Sequence, residues 1–239
     1  MSAETLKIGF IGGALDSAVG YAHFTACRMD RRWELAAGAF SRKPEINLRT
    51  GLEYGVDRER LYDSWRGMIA AEQGRLDAVA ILTPTVLHAE MVKECLACGM
   101  PVVCEKSLVT EVDDAMEIRE LCRSKKGFLA LIYNYSGYPM VRELRSLIRR
   151  GMFGKILHFQ AEMPQEGFIR TDGAGNRPSP QAWRMKDGTV PIIHLDLGSH
   201  LHELIYYLTG EHPERVVADQ DSWGWFRQVV DNVCCLCRY

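Results

Sequence analysis

The sequence lacks an excess of charge of either sign, a long hydrophobic run and a leader of the secretory kind. Lysine and arginine number 29 against 31 aspartates and glutamates, a formal charge of -2. Nucleic-acid binding draws on a concentrated basic surface, and this balance removes that motive. No apolar stretch approaches the roughly 18 residues needed to cross a bilayer. The opening MSAETLKIGF carries no basic-then-apolar pattern. A cytoplasmic protein is expected, with no nucleic-acid or membrane partner.

Metal-ligand spacing is also missing among the eight cysteines. Cys27, Cys95, Cys98, Cys104 and Cys122 lie in apolar, periodic segments, where a free thiol behaves as a small hydrophobe. Cys95 and Cys98 form a C-x-x-C, and Cys234, Cys235 and Cys237 cluster later. The combination matches no zinc ribbon or finger. Buried thiols and no metal are expected.

What is present is an ordinary globular composition, 47% hydrophobic and 25% charged, over 239 residues. That length suits one large domain or two small ones. Strand-like runs at Leu6–Gly12, Glu34–Phe40, near Leu61, and at Asp77–Thr83, Val102–Lys106 and Phe128–Asn134 alternate with helical patterns. The helices are Ser17–Asp30, one from Pro44, Asp63–Gln73, Leu87–Cys98 and Val112–Lys125. Strands apolar throughout, separated by helices, signal a parallel sheet covered on both faces. Six such strands predict an α/β fold, a doubly wound parallel sheet of the Rossmann type over residues 1–134.

From 135 to 239 the pattern becomes mixed. A helix is predicted over Tyr138–Arg150, a half-exposed strand over Lys155–Met163 and a long loop over Pro164–Val190. A helix over Leu197–Leu208 and strands at Val216–Trp223 and Val229–Tyr239 follow. This reads as an α+β substrate domain. The last strand pattern runs to the final residue, so the domain is expected to be incomplete.

The first strand runs into Gly12-Gly13-Ala14, with Gly20 opening the next helix. Glycines between strand and helix let backbone amides approach a pyrophosphate, which the helix N-terminus stabilises. The spacing departs from G-x-G-x-x-G: Gly12 fits the first position, Ala14 stands at the second, and Gly20 comes about three residues late. The second strand ends in Ser41-Arg42-Lys43, with no acid to hold both ribose hydroxyls. Hydroxyl and basic groups suit the 2′-phosphate of NADP, so NADP is favoured over NAD. The alternative is that Arg42 and Lys43 are solvated surface charges.

Two further segments carry a resemblance. Ala80-Ile81-Leu82-Thr83-Pro84-Thr85 with His88, and Gly99–Lys106 ending in Glu105-Lys106, resemble the Gfo/Idh/MocA oxidoreductases. So does Asp196-Leu197-Gly198-Ser199-His200, preceded by Ala182-Trp183-Arg184, which is similar to the family's D-x-G-x-H. The resemblance implies that Thr83, Pro84, His88 and Glu105 lie at the cofactor. It implies Lys106 facing nicotinamide and substrate, and His200 beside the reacting carbon. Asp196, four residues before His200, is expected to share its helix face. Histidine titrates near neutrality and can exchange a proton with a hydroxyl. Ser107 replaces the family's proline, which leaves the cis peptide usual there open; Ser136 replaces an arginine, which leaves Asn134 and Tyr138 as weaker candidates. His194 and His202 are competing histidines.

The expected activity is hydride transfer between nicotinamide and the carbon bearing a secondary hydroxyl of a sugar, sugar derivative or cyclitol. Two alternatives stay open: an NAD-dependent glycosidase, and a non-catalytic dinucleotide-binding regulator. The resemblance implies that family members continue for another hundred residues or more. The full-length form is expected to be a homo-oligomer.

Overall fold

The computed structural model describes residues 5–239, which divide into two units, one ending at Ile132 and the other beginning at Tyr133. The first unit is built on a five-stranded sheet. Its strands are β1 (Leu6–Gly12), β2 (Trp33–Ala39), β3 (Ala78–Leu82), β4 (Val102–Glu105) and β5 (Leu129–Ile132). All pairings are parallel, in the order β2-β1-β3-β4-β5. Five helices connect them: α1 (Gly20–Met29), α2 (Pro44–Tyr54), α3 (Trp65–Glu72), α4 (His88–Ala97) and α5 (Val112–Ser124).

Side-chain alternation along the strands divides the core in two. Ile8, Phe10, Ala78, Ala80 and Leu82 pack with Phe24 of α1 and Tyr54 of α2. Ile11, Val79 and Ile81 point the other way, among Met68, Met91, Val92, Cys95 and Ile118. Every residue of β3 is therefore buried, which accounts for its uninterrupted apolar sequence.

The predicted third strand, near Leu61, is reduced to one parallel bridge with Gly38. A short 3-10 turn, Arg58–Arg60, precedes it. The position held by the bridge, outside β2, is the one a third Rossmann strand occupies. The first helix starts at Gly20 rather than Ser17, because the intervening residues form turns. Helix ends follow local chemistry: Ser64 Oγ accepts the Gly67 N–H of α3, and Gly55 ends α2 in the left-handed region.

The second unit contains α6 (Pro139–Arg149), a π-helical turn (His194–Gly198) running into α7 (Ser199–Thr209), and an antiparallel ribbon of β6 (Arg215–Asp221) and β7 (Asn232–Arg238). The strand expected over Lys155–Met163 is not formed. Its alternation is present in sequence, but no described segment pairs with it, and Leu157 is 88% exposed. Two carboxylates organise the loops. Asp187 accepts the amides of Ile192 and Val230 at 2.8 and 2.7 Å, and Asp231 accepts those of Trp223 and Gly224 at 2.8 and 2.6 Å.

The cysteines divide as well. Cys95 and Cys104 are buried, and burial pushes the Cys95 thiol up to about 12. Cys234 and Cys235 are exposed, contrary to the expectation of buried thiols, because β7 lies in a ribbon whose strands are largely open to solvent. Among the described residues no three His, Cys, Asp or Glu side chains are gathered as a metal requires, and no helix is long and apolar enough to cross a membrane.

Candidate active site

The carboxyl ends of the strands bring most of the expected cofactor residues to one edge of the sheet. The chain leaves β1 in opposite directions along the sheet, toward β2 and then β3, so their boundary is a topological switch point. Gly12 and Gly13 end β1 with φ of 79° and 71°, which favours glycine. Gly20 is demanded by proximity: a Cβ there would sit 2.0 Å from the Gly13 carbonyl oxygen. Helix α1 thus docks directly on the turn despite the three extra residues. Ala14 is buried and stands in the family's second glycine position.

Two residues not singled out from sequence hold this turn. Thr50 Oγ1 accepts the Leu15 N–H at 3.3 Å, and the Tyr54 hydroxyl donates to the Gly13 carbonyl at 3.4 Å. No side chain caps α1 and no acid lies in its first turn. Its amide end is therefore suited to an external anion, as a pyrophosphate requires. This glycine-lined cradle fits a dinucleotide.

At the end of β2, Asn47 Oδ1 accepts the Phe40 N–H at 2.8 Å while its amide donates to the Tyr62 carbonyl at 3.1 Å. That latch presents Ser41, with Arg42 and Lys43 exposed beside it; Ser41 Oγ accepts the Lys43 N–H at 3.2 Å. Thr83 and Pro84 leave β3, the former half-buried and the latter exposed. His88, also expected at the cofactor, lies inside the protein. It is fully buried, with Nδ1 2.8 Å from the Ser107 carbonyl oxygen and Nε2 2.7 Å from that of Thr83. Each ring nitrogen faces a carbonyl oxygen; a neutral ring has one N–H and donates to one of the two, so His88 sits between two loops inside the protein. Burial pushes its pKa down against the pull of the two carbonyls.

Glu105 and Lys106 close β4. The Lys106–Ser107 peptide is cis, with serine standing where the family has proline. Glu105 Oε1 lies 2.7 Å from His23 Nε2 of α1, and Oε2 accepts the Lys106 N–H at 3.2 Å. His23 went unnoticed in the sequence; the available signal was its place one helical turn after Gly20.

In the second unit, His200 is 7% exposed, with the rings of Tyr133 and Tyr135 meeting it edge-on at 5.5 and 4.9 Å. Burial raises the Tyr133 pKa, as does the nearby Glu203 charge, while a hydrogen bond with Ser199 opposes them. Asp196 pairs with Arg184 at 2.8 Å, so the preceding Ala182-Trp183-Arg184 segment is anchored to the D-x-G-x-H turn. Its glycine has a packing reason: a Cβ on Gly198 would lie 2.6 Å from His194 Nδ1. His194 and His202 face each other with Nε2 atoms 3.2 Å apart. Burial lowers both their pKa values, and mutual repulsion lowers that of His194 further. These two histidines form a packing pair within their own unit. Burial raises the Glu203 pKa, against the Ser136 hydrogen bond and the Arg145 charge. Asn134 is exposed and donates to the Tyr138 hydroxyl at 3.4 Å.

Comparison with known proteins decides the family. Residues 6–133 match the model of the oxidoreductase family with NAD-binding Rossmann fold, and residues 141–239 match the GFO/IDH/MocA C-terminal domain. The chain belongs to the Gfo/Idh/MocA oxidoreductase family. Among relatives, the uncharacterized oxidoreductase YfiI of Bacillus subtilis is 34% identical over 99% of this chain and 62% of its own length. Levoglucosan dehydrogenase of Pseudarthrobacter phenanthrenivorans is 25% identical over 87% of the chain and 52% of its own. Among solved structures, the inositol dehydrogenase homolog of Azotobacter vinelandii, complexed with NADH and myo-inositol, superimposes with a TM-score of 0.83 at 26% identity. It is matched over 99% of this chain and 62% of that one. An oxidoreductase from Sinorhizobium meliloti gives 0.80 at 32% identity, over 98% of this chain and 61% of that one. This Gfo/Idh/MocA chain thus spans at most about three-fifths of these relatives.

Proposed function

We propose that this chain carries the cofactor-binding part and a portion of the substrate-handling part of an NAD(P)-dependent dehydrogenase. Its substrate class is a secondary alcohol, or the matching ketone, of a sugar, sugar derivative or cyclitol. The carrying observation is the cradle made by Gly12, Gly13 and the uncapped start of α1 at the switch point, on the same sheet edge as Lys106. Named relatives that act on levoglucosan, xylose and inositol support the substrate class.

A bound nicotinamide supplies hydride exchange. The amides after β1 hold the pyrophosphate, and Ser41, Arg42 and Lys43 take the adenosine ribose end, where the missing acid favours NADP over NAD. Thr83, Pro84 and Glu105 border the crevice further along. Lys106 polarises the substrate oxygen, and His200 gives or takes the hydroxyl proton. Asp196, held by Arg184, fixes the turn ahead of His200. The whole protein is proposed to be a homo-oligomer.

The test is calorimetric titration with NADPH and NADH, followed by turnover on a panel of sugars and cyclitols, using the longer protein where the chain belongs to one. NADPH is expected to bind more tightly, with the preference reduced in Arg42→Ala. Lys106→Ala and His200→Ala are each expected to cut kcat by about 100-fold or more while leaving cofactor affinity nearly unchanged. Turnover unaffected by both substitutions overturns the catalytic roles.

A further inference from the structure

One side-chain pair crosses the mouth of the sheet. His23 lies in α1, at the phosphate-cradling end, and Glu105 lies at the end of β4 beside Lys106. Strand β3 separates β1 from β4, so the 2.7 Å contact between His23 Nε2 and Glu105 Oε1 spans the switch point. A carboxylate only accepts hydrogen bonds, so the imidazole is the donor.

Several features fix this pair. The close approach of Gly20 to the Gly13 carbonyl sets the height and rotation of α1. The Phe10 ring meets the imidazole edge-on at 6.4 Å. The second Glu105 oxygen accepts the Lys106 amide. Both side chains are largely withdrawn from water, at 16% and 15% exposure. A carboxylate held at both oxygens is suited to fixing its neighbours.

We propose that His23 is a positioning residue for the nicotinamide end of the crevice, locking Glu105 and with it the turn that bears Lys106. This rests on the dinucleotide reading and deepens it. A dinucleotide anchored by its pyrophosphate at the β1–α1 turn reaches toward β2 with its adenosine and across β3 with its nicotinamide. The His23–Glu105 bridge therefore acts on one half of the ligand. Supporting residues of this kind hold a reactive group in its productive geometry.

The experiment compares NADH with ADP-ribose, which keeps the adenosine and pyrophosphate but has no nicotinamide. Both are titrated calorimetrically into the 239-residue chain, His23→Ala and His23→Gln. His23→Ala is expected to weaken NADH by about tenfold and ADP-ribose by less than about twofold. His23→Gln, whose side-chain amide can still donate to Glu105, recovers most of the loss. In a Glu105→Gln background, His23→Ala adds little, the non-additivity of two groups in one contact.

Equal losses for the two ligands mean that His23 only supports α1, and overturn the proposal. Unchanged NADH affinity in His23→Ala does the same. A wild-type chain that binds ADP-ribose but gains nothing from the nicotinamide half sinks this proposal and leaves the phosphate cradle standing. One that binds neither ligand sinks the dinucleotide reading, and His23 with it.

Discussion

Gly20 shows most directly how one residue serves the cradle. Its missing side chain lets α1 rest on the carbonyl of Gly13, where a Cβ would overlap that oxygen. Gly20→Ala must push the helix start away from the turn and widen the anion site. The expected result is an NADPH affinity lowered by about tenfold or more, with a lower melting temperature, measured by calorimetry. Undiminished affinity would separate Gly20 from the ligand. Residue identity also explains what the sequence left hidden. Gly20 announces itself by lying after an apolar strand. His23 gains its meaning from Glu105, 82 positions later, and no local pattern joins them. For His88 the motif gives the residue's place and not its exposure; each of its nitrogens faces a carbonyl oxygen inside the protein.

Elements were legible where their cause was local. Strands β1, β3 and β4 are apolar because both sheet faces are covered, and that pattern is written in consecutive residues. Leu61 and the 155–163 segment failed as strands because a strand exists only through a partner's hydrogen bonds, which alternation does not encode. The Leu61 bridge is supported instead by side chains around Glu72, in the last turn of α3. Arg60 reaches Glu72 through Nε at 2.9 Å and Nη2 at 2.5 Å, and the Tyr62 hydroxyl donates to it at 2.7 Å. Burial alone would raise the Glu72 pKa, but these bonds and the arginine charges hold it below the ordinary carboxylate range. Glu72→Ala strands Arg60 and frees the segment ahead of α3. A loss of about 3 kcal/mol in chemical denaturation is expected, as for other broken buried pairs. A change under about 0.5 kcal/mol would show that the bridge is held by something else.

Across the whole molecule, three histidines, His88 buried and His194 and His202 half-buried, share one response to acid. Burial lowers the pKa values of His88, His194 and His202 below their ordinary 6.5. Below that value the unfolded chain binds protons that the folded chain refuses. The stability due to neutral imidazoles is therefore complete above about pH 6.5 and is lost as the pH falls toward the folded pKa values. Each group contributes up to about 1.4 kcal/mol per pH unit in that window. Scanning calorimetry should find a melting temperature steady above about pH 7 and falling between about pH 6.5 and 5. A flat profile down to about pH 5 would mean that these rings take up protons without cost to the fold.

The β6–β7 ribbon has a consequence for solvent exchange. With only two strands, each has one neighbour, so along Arg215–Asp221 successive amides point by turns to the partner and to water. Deuterium should enter that stretch at every second position, leaving a fast–slow beat of period two, whereas β3, flanked on both sides, resists uptake at each of its amides.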